Sequence, residues 1–293
     1  MSDLIDLNSW PVSDVLSLLL QDKTTKKNIV RAENSPMTEE ALRGRNTGMI
    51  RPRVAKELSL QAERTRKTAE VFTPAYVCCR MNEFCDGEWF GYPEPFNTLT
   101  ENGWIPKSEP IRFGGKRDWK EYVDSRRMEI TCGEAPFLVS RYDAATGEPI
   151  SLEKRIGILD RKLRVVNENT REESEWMTWT VRAFQSVYGY ELQGDSLLIA
   201  RINLLLTFTD YLSARWNRKA SLKELKKIAN IISWNLWQMD GLTGSVPFAV
   251  RETKETQLAF DWLAEEECTE PAYERIPCRI MDWRADRSVE FGK

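Results

Sequence analysis

The sequence predicts an α/β fold, in which a sheet carries helices on both faces and an N-terminal helical region precedes it. Two short strand-like segments, Met128–Thr131 and Val187–Glu191, each lead into a turn and then a helical pattern. Residues 1–68 are polar and helical in pattern. The length of 293 residues allows one large domain or two small ones. We therefore place a helical region at 1–68 and an α/β domain at 69–293.

The composition is that of a soluble globular protein, with 41% hydrophobic and 30% charged residues. No apolar run approaches the roughly 18 residues of a membrane span. The acidic N-terminus lacks the basic region of a signal peptide, so we expect a cytoplasmic protein without membrane contact. The net charge of −3 is unlike that of an isolated DNA-binding domain, which is usually basic.

The chain has six cysteines and no histidine. No Cys-x-x-Cys pair occurs, so a zinc site of the common Cys/His type is not expected, and we predict no metal. The absence of histidine also excludes Ser-His and Cys-His nucleophilic catalysis.

Helix signals occur early in the chain. Ser9 or Ser13 is suited to capping a helix through Leu16–Leu20, and Thr38 to capping a second one. Basic clusters occur at Lys23–Lys27, Arg43–Lys56, Arg64–Lys67 and Arg215–Lys227. They predict either a local DNA-binding patch or an ordinary solvated helix face.

The segment Arg127–Phe137 predicts a strand, a small-residue turn and a helix with Pro136 at its first position. Such a turn brings a nucleotide-type ligand against the backbone. A diphosphate cradle needs several glycines and no nearby negative charge, whereas this turn has only Gly133 beside Glu134. It suits a ligand with a positive centre and an adenosine, such as S-adenosylmethionine. A strand-to-helix turn with no ligand remains the alternative.

The letters of this segment, Glu-Ile-Thr-Cys-Gly-Glu-Ala-Pro-Phe, resemble the Glu-Pro-Ala-Cys-x-x-Gly-Pro-Phe signature of amino-directed (adenine) DNA methyltransferases of restriction–modification systems. Ala135 stands where that family has glycine. The resemblance implies a Rossmann-like methyltransferase sheet and S-adenosyl-L-methionine as cofactor. The residues that it places at the cofactor are Glu129, Thr131, Cys132, Gly133, Pro136 and Phe137.

A second element lies upstream, where Glu-Val-Phe-Thr-Pro-Ala-Tyr-Val resembles the family's Glu-x-Phe-Thr-Pro-x-x-Val. In the family, the threonine and its neighbouring backbone hold the methionine end of the cofactor. The match assigns this role to Phe72, Thr73 and Pro74. A helix should follow, with Val77, Met81 and Phe84 on one apolar face. A simple extended turn before a helix is the alternative.

Two acids are candidates for binding the ribose, because a carboxylate accepts two hydrogen bonds from a vicinal diol. Glu191 ends the strand Val187–Glu191 and precedes an apolar helix, Leu197–Leu206, as in the family's second element. Asp160 is the alternative, at the end of a predicted strand, Arg155–Asp160.

A third element follows a predicted strand, Ile228–Asn235. There Asp240 is expected to accept from the adenine amino group and Leu242 to pack on the ring, as in the family's Asn-x-x-x-x-Asp-x-Leu pattern. A turn carboxylate without a ligand is the alternative.

The chain departs from the family in two ways. It carries long segments at 86–126 and 155–180 that we interpret as insertions; aromatic residues in the first either stack on bases or, as we favour, build a satellite core. The Asn/Asp/Ser-Pro-Pro-aromatic motif is absent from residues 243–293; Ser245-Val246-Pro247-Phe248 comes closest. A catalytic residue is therefore not assigned.

Three function classes remain. The chain is expected to be a methyltransferase subunit whose catalytic strand and target-recognition domain come from a second protein chain, with DNA as a possible further partner. It is otherwise an inactive homologue that acts as a regulatory or anti-defence interaction protein. The third class is an enzyme acting on a small or protein substrate.

Overall fold

The computed structural model describes residues 4–31, 35–43, 50–68, 73–114, 117–253 and 272–292. The helices are α1 (Val12–Leu20), α2 (Glu39–Leu42), α3 (Leu58–Thr68), α4 (Ala75–Phe90), α5 (Trp119–Asp124), α6 (Ile158–Asn169), α7 (Glu173–Gln185), α8 (Gly194–Trp216) and α9 (Leu222–Asn235). The strands are β1 (Val30–Arg31), β2 (Ser35–Pro36), β3 (Asn97–Leu99), β4 (Trp104–Pro106), β5 (Arg127–Glu129), β6 (Val187–Glu191), β7 (Leu236–Gln238), β8 (Ser245–Thr253), β9 (Ala272–Pro277), β10 (Arg279–Asp282) and β11 (Arg287–Glu290).

A three-stranded parallel sheet in the order β5-β6-β7 lies at the centre. Met128 is opposite Tyr188, and Tyr190 is opposite Trp237. Helices connect the strands, as parallel pairing requires a long crossover. The carboxyl ends of all three strands therefore meet at one edge, the usual place for a ligand in such a sheet. The class is mixed helix and sheet, as predicted.

The two faces of this sheet are covered differently. Val187 and Leu236 belong to the main apolar core with the helices. Side chains of the opposite face, Tyr188 and Tyr190 among them, pack instead against the C-terminal strands, including Val246 of β8. The described residues thus do not show the predicted helices on both faces. The reason is that the chain turns back after β7 into antiparallel β-hairpins.

Helix α8 is the core helix of the protein. Among the described residues it alone is long and apolar enough to cross a bilayer, and 78% of its apolar window is buried inside the protein. Its burial identifies it as a core element, because a soluble protein surrounds such a helix with its own side chains. The predicted apolar helix Leu197–Leu206 lies within it.

The segment Ile228–Asn235 was predicted as a strand, and this prediction is wrong, because it is the second half of α9. Ser221 and Glu224 form a reciprocal capping box that starts the helix. Ile228 and Ile232 are one helical turn apart and both buried. The strand β7 begins only at Leu236.

The helix signals near the N-terminus are partly confirmed. Helix α1 includes Leu16–Leu20, but Pro11 precedes it and no side chain caps it, so the predicted cap at Ser9 or Ser13 is wrong. Thr38 does cap α2, since its side chain accepts from the Ala41 amide at 3.2 Å.

The aromatic side chains of residues 86–126 pack on one another. Tyr122 lies at the centre, with its ring 5.1 Å from Trp89, 5.2 Å from Phe90 and 5.6 Å from Phe96. These rings belong to or contact the main apolar core. The rings are packed, as the favoured interpretation expected, but they join the main apolar core instead of forming a separate satellite core.

Arg201 of α8 is fully buried and joins the ends of two helices. It donates to the carbonyls of Leu19 and Gln21 at the end of α1, and to those of Ser233 and Leu236 at the end of α9. Burial lowers the pKa of its guanidinium to about 10. A cation at helix C-termini is favourable because free carbonyls concentrate negative charge there.

We predict that Arg201→Met destabilises the protein by about 3 kcal/mol, because four carbonyls, three of them in buried hydrogen bonds, lose their donor. Urea unfolding measures this loss. Lys227→Met on the exposed face of α9 is the control and should change stability by less than about 0.5 kcal/mol. A loss below about 1 kcal/mol for Arg201→Met would contradict the capping role.

Candidate functional site

The loop after β5 is a chain of tight turns. Thr131, Gly133 and Ala135 have positive φ values of 49°, 54° and 65°. The Cys132 amide donates to the Tyr190 carbonyl at 2.8 Å, which holds the loop against β6. The prediction that Pro136 begins a helix is wrong, because residues 136–138 form a turn. The carbonyls of Phe137 and Leu138 accept from the amides of Ile158 and Leu159, both at 2.8 Å, and so are not available to amides one helical turn further along the chain.

Glu129 braces this loop from inside. Its carboxylate accepts from the amides of Phe137 and Leu138 at 3.3 and 3.1 Å. Burial raises the pKa of Glu129 to about 8, although the two amides act in the opposite direction. Glu129 and Phe137, both predicted to lie at the cofactor, are thus joined by a hydrogen bond that shapes the loop.

Cys132 lies beneath the loop and is buried. Burial raises the pKa of its thiol well above the usual range, and the carboxylates of Glu129 and Glu191 act in the same direction. The thiol is thus neutral and is not an activated nucleophile. A Cβ on Gly189 would lie 3.3 Å from the Cys132 sulfur, so the strand beside the loop needs a small residue.

Glu191 connects the loop to the end of β6. One carboxylate oxygen, Oε2, accepts from the Gly133 amide at 2.8 Å, and Oε1 accepts from the Gln193 amide at 2.9 Å. Burial raises the pKa of this carboxyl, and its 9% exposed surface leaves an opening to solvent. A carboxylate has about four acceptor positions, so two amide donors leave capacity for a further ligand.

Asp240 lies at the same edge, beyond β7. The Met239 amide donates to the Glu191 carbonyl at 3.1 Å, which sets the two strand ends side by side. The Asp240 carboxylate accepts from the Leu242 amide at 2.9 Å. Leu242 itself is 98% exposed, and its side chain is thus available at the surface.

The upstream element is described only in part, since Phe72 lies outside the described residues. Pro74 precedes α4, and the Thr73 carbonyl accepts from the Cys78 thiol at 3.7 Å. The Ala75 amide donates to Asp143 at 3.0 Å, which ties the start of α4 to the segment after the loop. Thr73 therefore adjoins the loop segment without a contact to Glu191 or Asp240 among the described interactions.

Helix α4 confirms the predicted helix after Pro74 but not the burial of its apolar face. Met81 is 53% exposed and Phe84 71% exposed. The buried face carries Cys78, Cys79 and polar residues such as Glu83, which pairs with Arg161 at 2.9 Å. A buried ion pair has taken the place of the expected apolar contact.

Asp160 is not at a strand end, so the predicted strand Arg155–Asp160 is wrong. The residue lies in the first turn of α6, where its Oδ2 accepts from the Ser140 amide at 2.9 Å. Gly157 caps this helix, and its missing side chain allows close contact, because a Cβ there would lie 2.4 Å from the Leu138 carbonyl. Of the two candidate acids, only Glu191 has a described side-chain hydrogen bond to residues 131–137.

The N-terminal region contacts the loop and the start of α8, which sequence reasoning missed. The Arg53 amide donates to Glu134 at 2.7 Å, and Lys56 and Arg64 bind Asp195 at 3.2 and 2.8 Å. Burial raises the pKa of Asp195, but these two cations outweigh it and the pKa is lowered. The sequence signal for this contact was Asp195. A carboxylate at the start of an apolar helix needs a charged or hydrogen-bonding partner when it is buried.

No protein-family model matches the chain, and neither a curated protein nor a solved structure matches it.

The pKa of Glu129 leads to a prediction about pH. In the folded protein Glu129 keeps its proton up to about pH 8, whereas in the unfolded chain Glu129 releases it near the ordinary pKa of 4.5. The contribution of protonated Glu129 to stability is thus complete below about pH 4.5 and is lost as the pH rises toward 8.

We predict that the stability of the wild type relative to Glu129→Gln falls between pH 5.5 and 7.5, by at most about 1.4 kcal/mol per pH unit. Urea midpoints measure both proteins. Other buried carboxyls titrate in both and cancel in the difference, and Glu101→Gln on the surface is the control. Parallel pH profiles would show that Glu129 keeps an ordinary pKa.

Proposed function

We propose that the chain binds S-adenosyl-L-methionine at the strand-end site, formed by the 131–137 loop, Glu191 and Asp240, within a Rossmann-like methyltransferase sheet. The observation that carries the proposal is the meeting of three parallel strand ends through two contacts. The Glu191 carboxylate binds the Gly133 amide, and the Glu191 carbonyl binds the Met239 amide. Three segments with family-like sequences thus lie at one edge of one sheet.

The residues present fit such a cofactor. Glu191 has unused acceptor capacity for the two ribose hydroxyls, and Asp240 offers a carboxylate to the adenine amino group. The exposed Leu242 side chain is available to cover the adenine ring. Glu191 also supports a cationic ligand centre, because an opposite charge in a partly buried site is a favourable partner. When bound, the cofactor supplies a methyl group on a sulfonium.

We further propose that the protein is an adenine-specific DNA methyltransferase-like subunit, of the restriction–modification type, that needs a second chain. The Ser245-Val246-Pro247-Phe248 segment begins β8, which runs antiparallel to β9 and lies outside the β5-β6-β7 sheet. In the described part of the chain, β5 pairs only with β6. Its other edge therefore leaves a place where a catalytic strand from a partner is able to pair.

The second candidate is an inactive homologue acting as a regulatory or anti-defence interaction protein in the cytoplasm. The observation that favours it is the missing Asn/Asp/Ser-Pro-Pro-aromatic motif, whose side chain and backbone would otherwise orient a flipped adenine. This candidate keeps cofactor binding but has no methyl transfer with any partner. The two candidates differ in what a neighbouring reading frame should encode.

Calorimetry of the full chain with S-adenosylmethionine tests the cofactor. Saturable binding is expected, and Glu191→Gln should weaken it at least about tenfold, because an amide N–H₂ replaces one acceptor oxygen. Asp160→Asn is the matched control and should leave the affinity unchanged. No heat of binding for the folded wild type, or a loss confined to Asp160→Asn, would contradict the proposed site.

Methyl transfer to DNA separates the two candidates. The chain alone should transfer no labelled methyl group to adenine-containing duplex DNA. Addition of a co-encoded chain that carries the missing Asn-Pro-Pro-aromatic motif should restore transfer if the first candidate is correct. Transfer by the chain alone would contradict the need for a partner, and no transfer with such a chain would favour the inactive homologue.

A further inference from the structure

The solvent-facing side of α4 is a stripe centred on Phe84. With about 3.6 residues per turn, Arg80 and Glu88 lie one turn before and one turn after Phe84 on the same side of the helix. All three side chains are exposed, Phe84 at 71%, and Met81 on this side is 53% exposed. The buried residues of α4, such as Asn82, lie on the opposite side. The stripe is therefore not the face that attaches α4 to the rest of the described protein.

A groove of about 650 Å³ lies beside this stripe, between α4 and residues 92–99. Phe84 and Leu99 contribute apolar surface to it. Gly87 and Gly91, one helical turn apart, line it without side chains, and a Cβ on Gly91 would have open space around it. Glycines in such positions let another backbone approach closely. The stripe and the groove together are named the α4 groove below.

The α4 groove carries one available charge of each sign along the helix. Arg80 uses its Nη2 to donate to the carbonyls of Thr100 and Glu101, both at 2.7 Å, and no carboxylate in the described part of the chain pairs with it. Glu88 is exposed and makes no ion pair with any described residue. Both charges can therefore bind groups on another molecule.

We propose that the α4 groove is the contact surface of a homodimer, in which α4 packs antiparallel against α4 of a second copy of this chain. With Phe84 at the twofold axis, residues at equal distances before and after Phe84 lie at the same level. Arg80 of each copy then lies level with Glu88 of the second copy, and the two opposite charges attract at both ends. Parallel pairing would instead place Arg80 beside Arg80. A twofold interface requires this kind of self-complementary surface.

The uncharged residues of the stripe suit the same pairing. Met81, three residues before Phe84, lies level with Gly87 of the second copy, three residues after it. Val77 lies level with Gly91 in the same way. Each larger side chain thus has space beside a glycine, and the two Phe84 rings meet near the axis, where both lose contact with water.

A second copy uses every feature of the α4 groove. A lone ion would satisfy either Arg80 or Glu88 and would leave Phe84 exposed. A contact built mainly on one helix from each copy is small for a protein interface, so the association should be weak and reversible, with a Kd on the order of 10 µM.

Sedimentation equilibrium of the full chain tests the dimer. The wild type should show a reversible monomer–dimer equilibrium, and Phe84→Ser should weaken it at least about tenfold without loss of fold, because that side chain is mostly exposed. Leu222→Ser is the control, since Leu222 is an exposed apolar residue of α9, and it should change nothing. A wild type that stays monomeric at about 300 µM would overturn the proposal and leave another molecule as the occupant. A dimer that Phe84→Ser does not weaken would also overturn it.

Charge reversal tests the antiparallel arrangement. Arg80→Glu and Glu88→Arg each place like charges together at both ends of the contact, so each variant alone should associate about tenfold more weakly at low salt. An equimolar mixture of the two variants restores opposite charges in the mixed dimer and should regain wild-type affinity within about threefold. A purely structural role for either residue gives no recovery on mixing. No recovery, with both variants folded, would contradict the pairing of Arg80 with Glu88.

The dimer and the strand-end site are separable. Phe84→Ser should leave S-adenosylmethionine binding intact in calorimetry, while Glu191→Gln should leave the monomer–dimer equilibrium intact. Loss of the dimer in Glu191→Gln, with Phe84→Ser unaffected, would place the interface at the strand ends and overturn the α4 groove.

Discussion

The hydrogen bond between the Gly133 amide and the Glu191 carboxylate is the contact on which the strand-end site depends. It joins the loop after β5 to the end of β6 at 2.8 Å, and the Glu191 carbonyl continues the connection to β7 through the Met239 amide. The loop has no helix of its own to hold it, so its shape depends on this bond and on Glu129 beneath it. One carboxylate thus both orders the loop and faces solvent with spare acceptor capacity.

Buried cations hold the surrounding elements in place. Arg201 connects α8 to the ends of α1 and α9 by donating to their carbonyls. The neutral side chain of Gln238 makes a similar connection, because it accepts from the Val30 amide and donates to the Val30 carbonyl, both at 2.8 Å. Lys56 and Arg64 attach the N-terminal region to Asp195, only four residues beyond Glu191. The N-terminal helices are therefore part of the structure that positions the site. Cations bound to these partners stabilise because their desolvation is offset by strong hydrogen bonds.

Local sequence was sufficient where pattern and packing agree. Val187–Glu191 matches β6, since an apolar run that ends in a turn has few alternatives at that length. The strand predicted at Ile228–Asn235 is wrong because a short apolar run fits either a strand or a helix. The Ser221–Glu224 capping box, which marks the start of a helix, was the signal that distinguishes the two. The strand predicted at Arg155–Asp160 is wrong because Asp160 lies in the first turn of a helix, where its carboxylate accepts from the Ser140 amide. The left-handed backbone of Thr131 and Ala135, and the pairing of Lys56 with Asp195, follow from tertiary contacts that no local pattern contains.

A crystal structure of the full chain with S-adenosylhomocysteine, the demethylated form of the cofactor, tests the central claim most directly. The account predicts both ribose hydroxyls within hydrogen-bond distance of the Glu191 carboxylate, with the Gly133 amide still bound to the same carboxylate. It also predicts the adenine between Asp240 and Leu242. A ligand bound elsewhere, or a ribose that makes no contact with Glu191, would contradict the account.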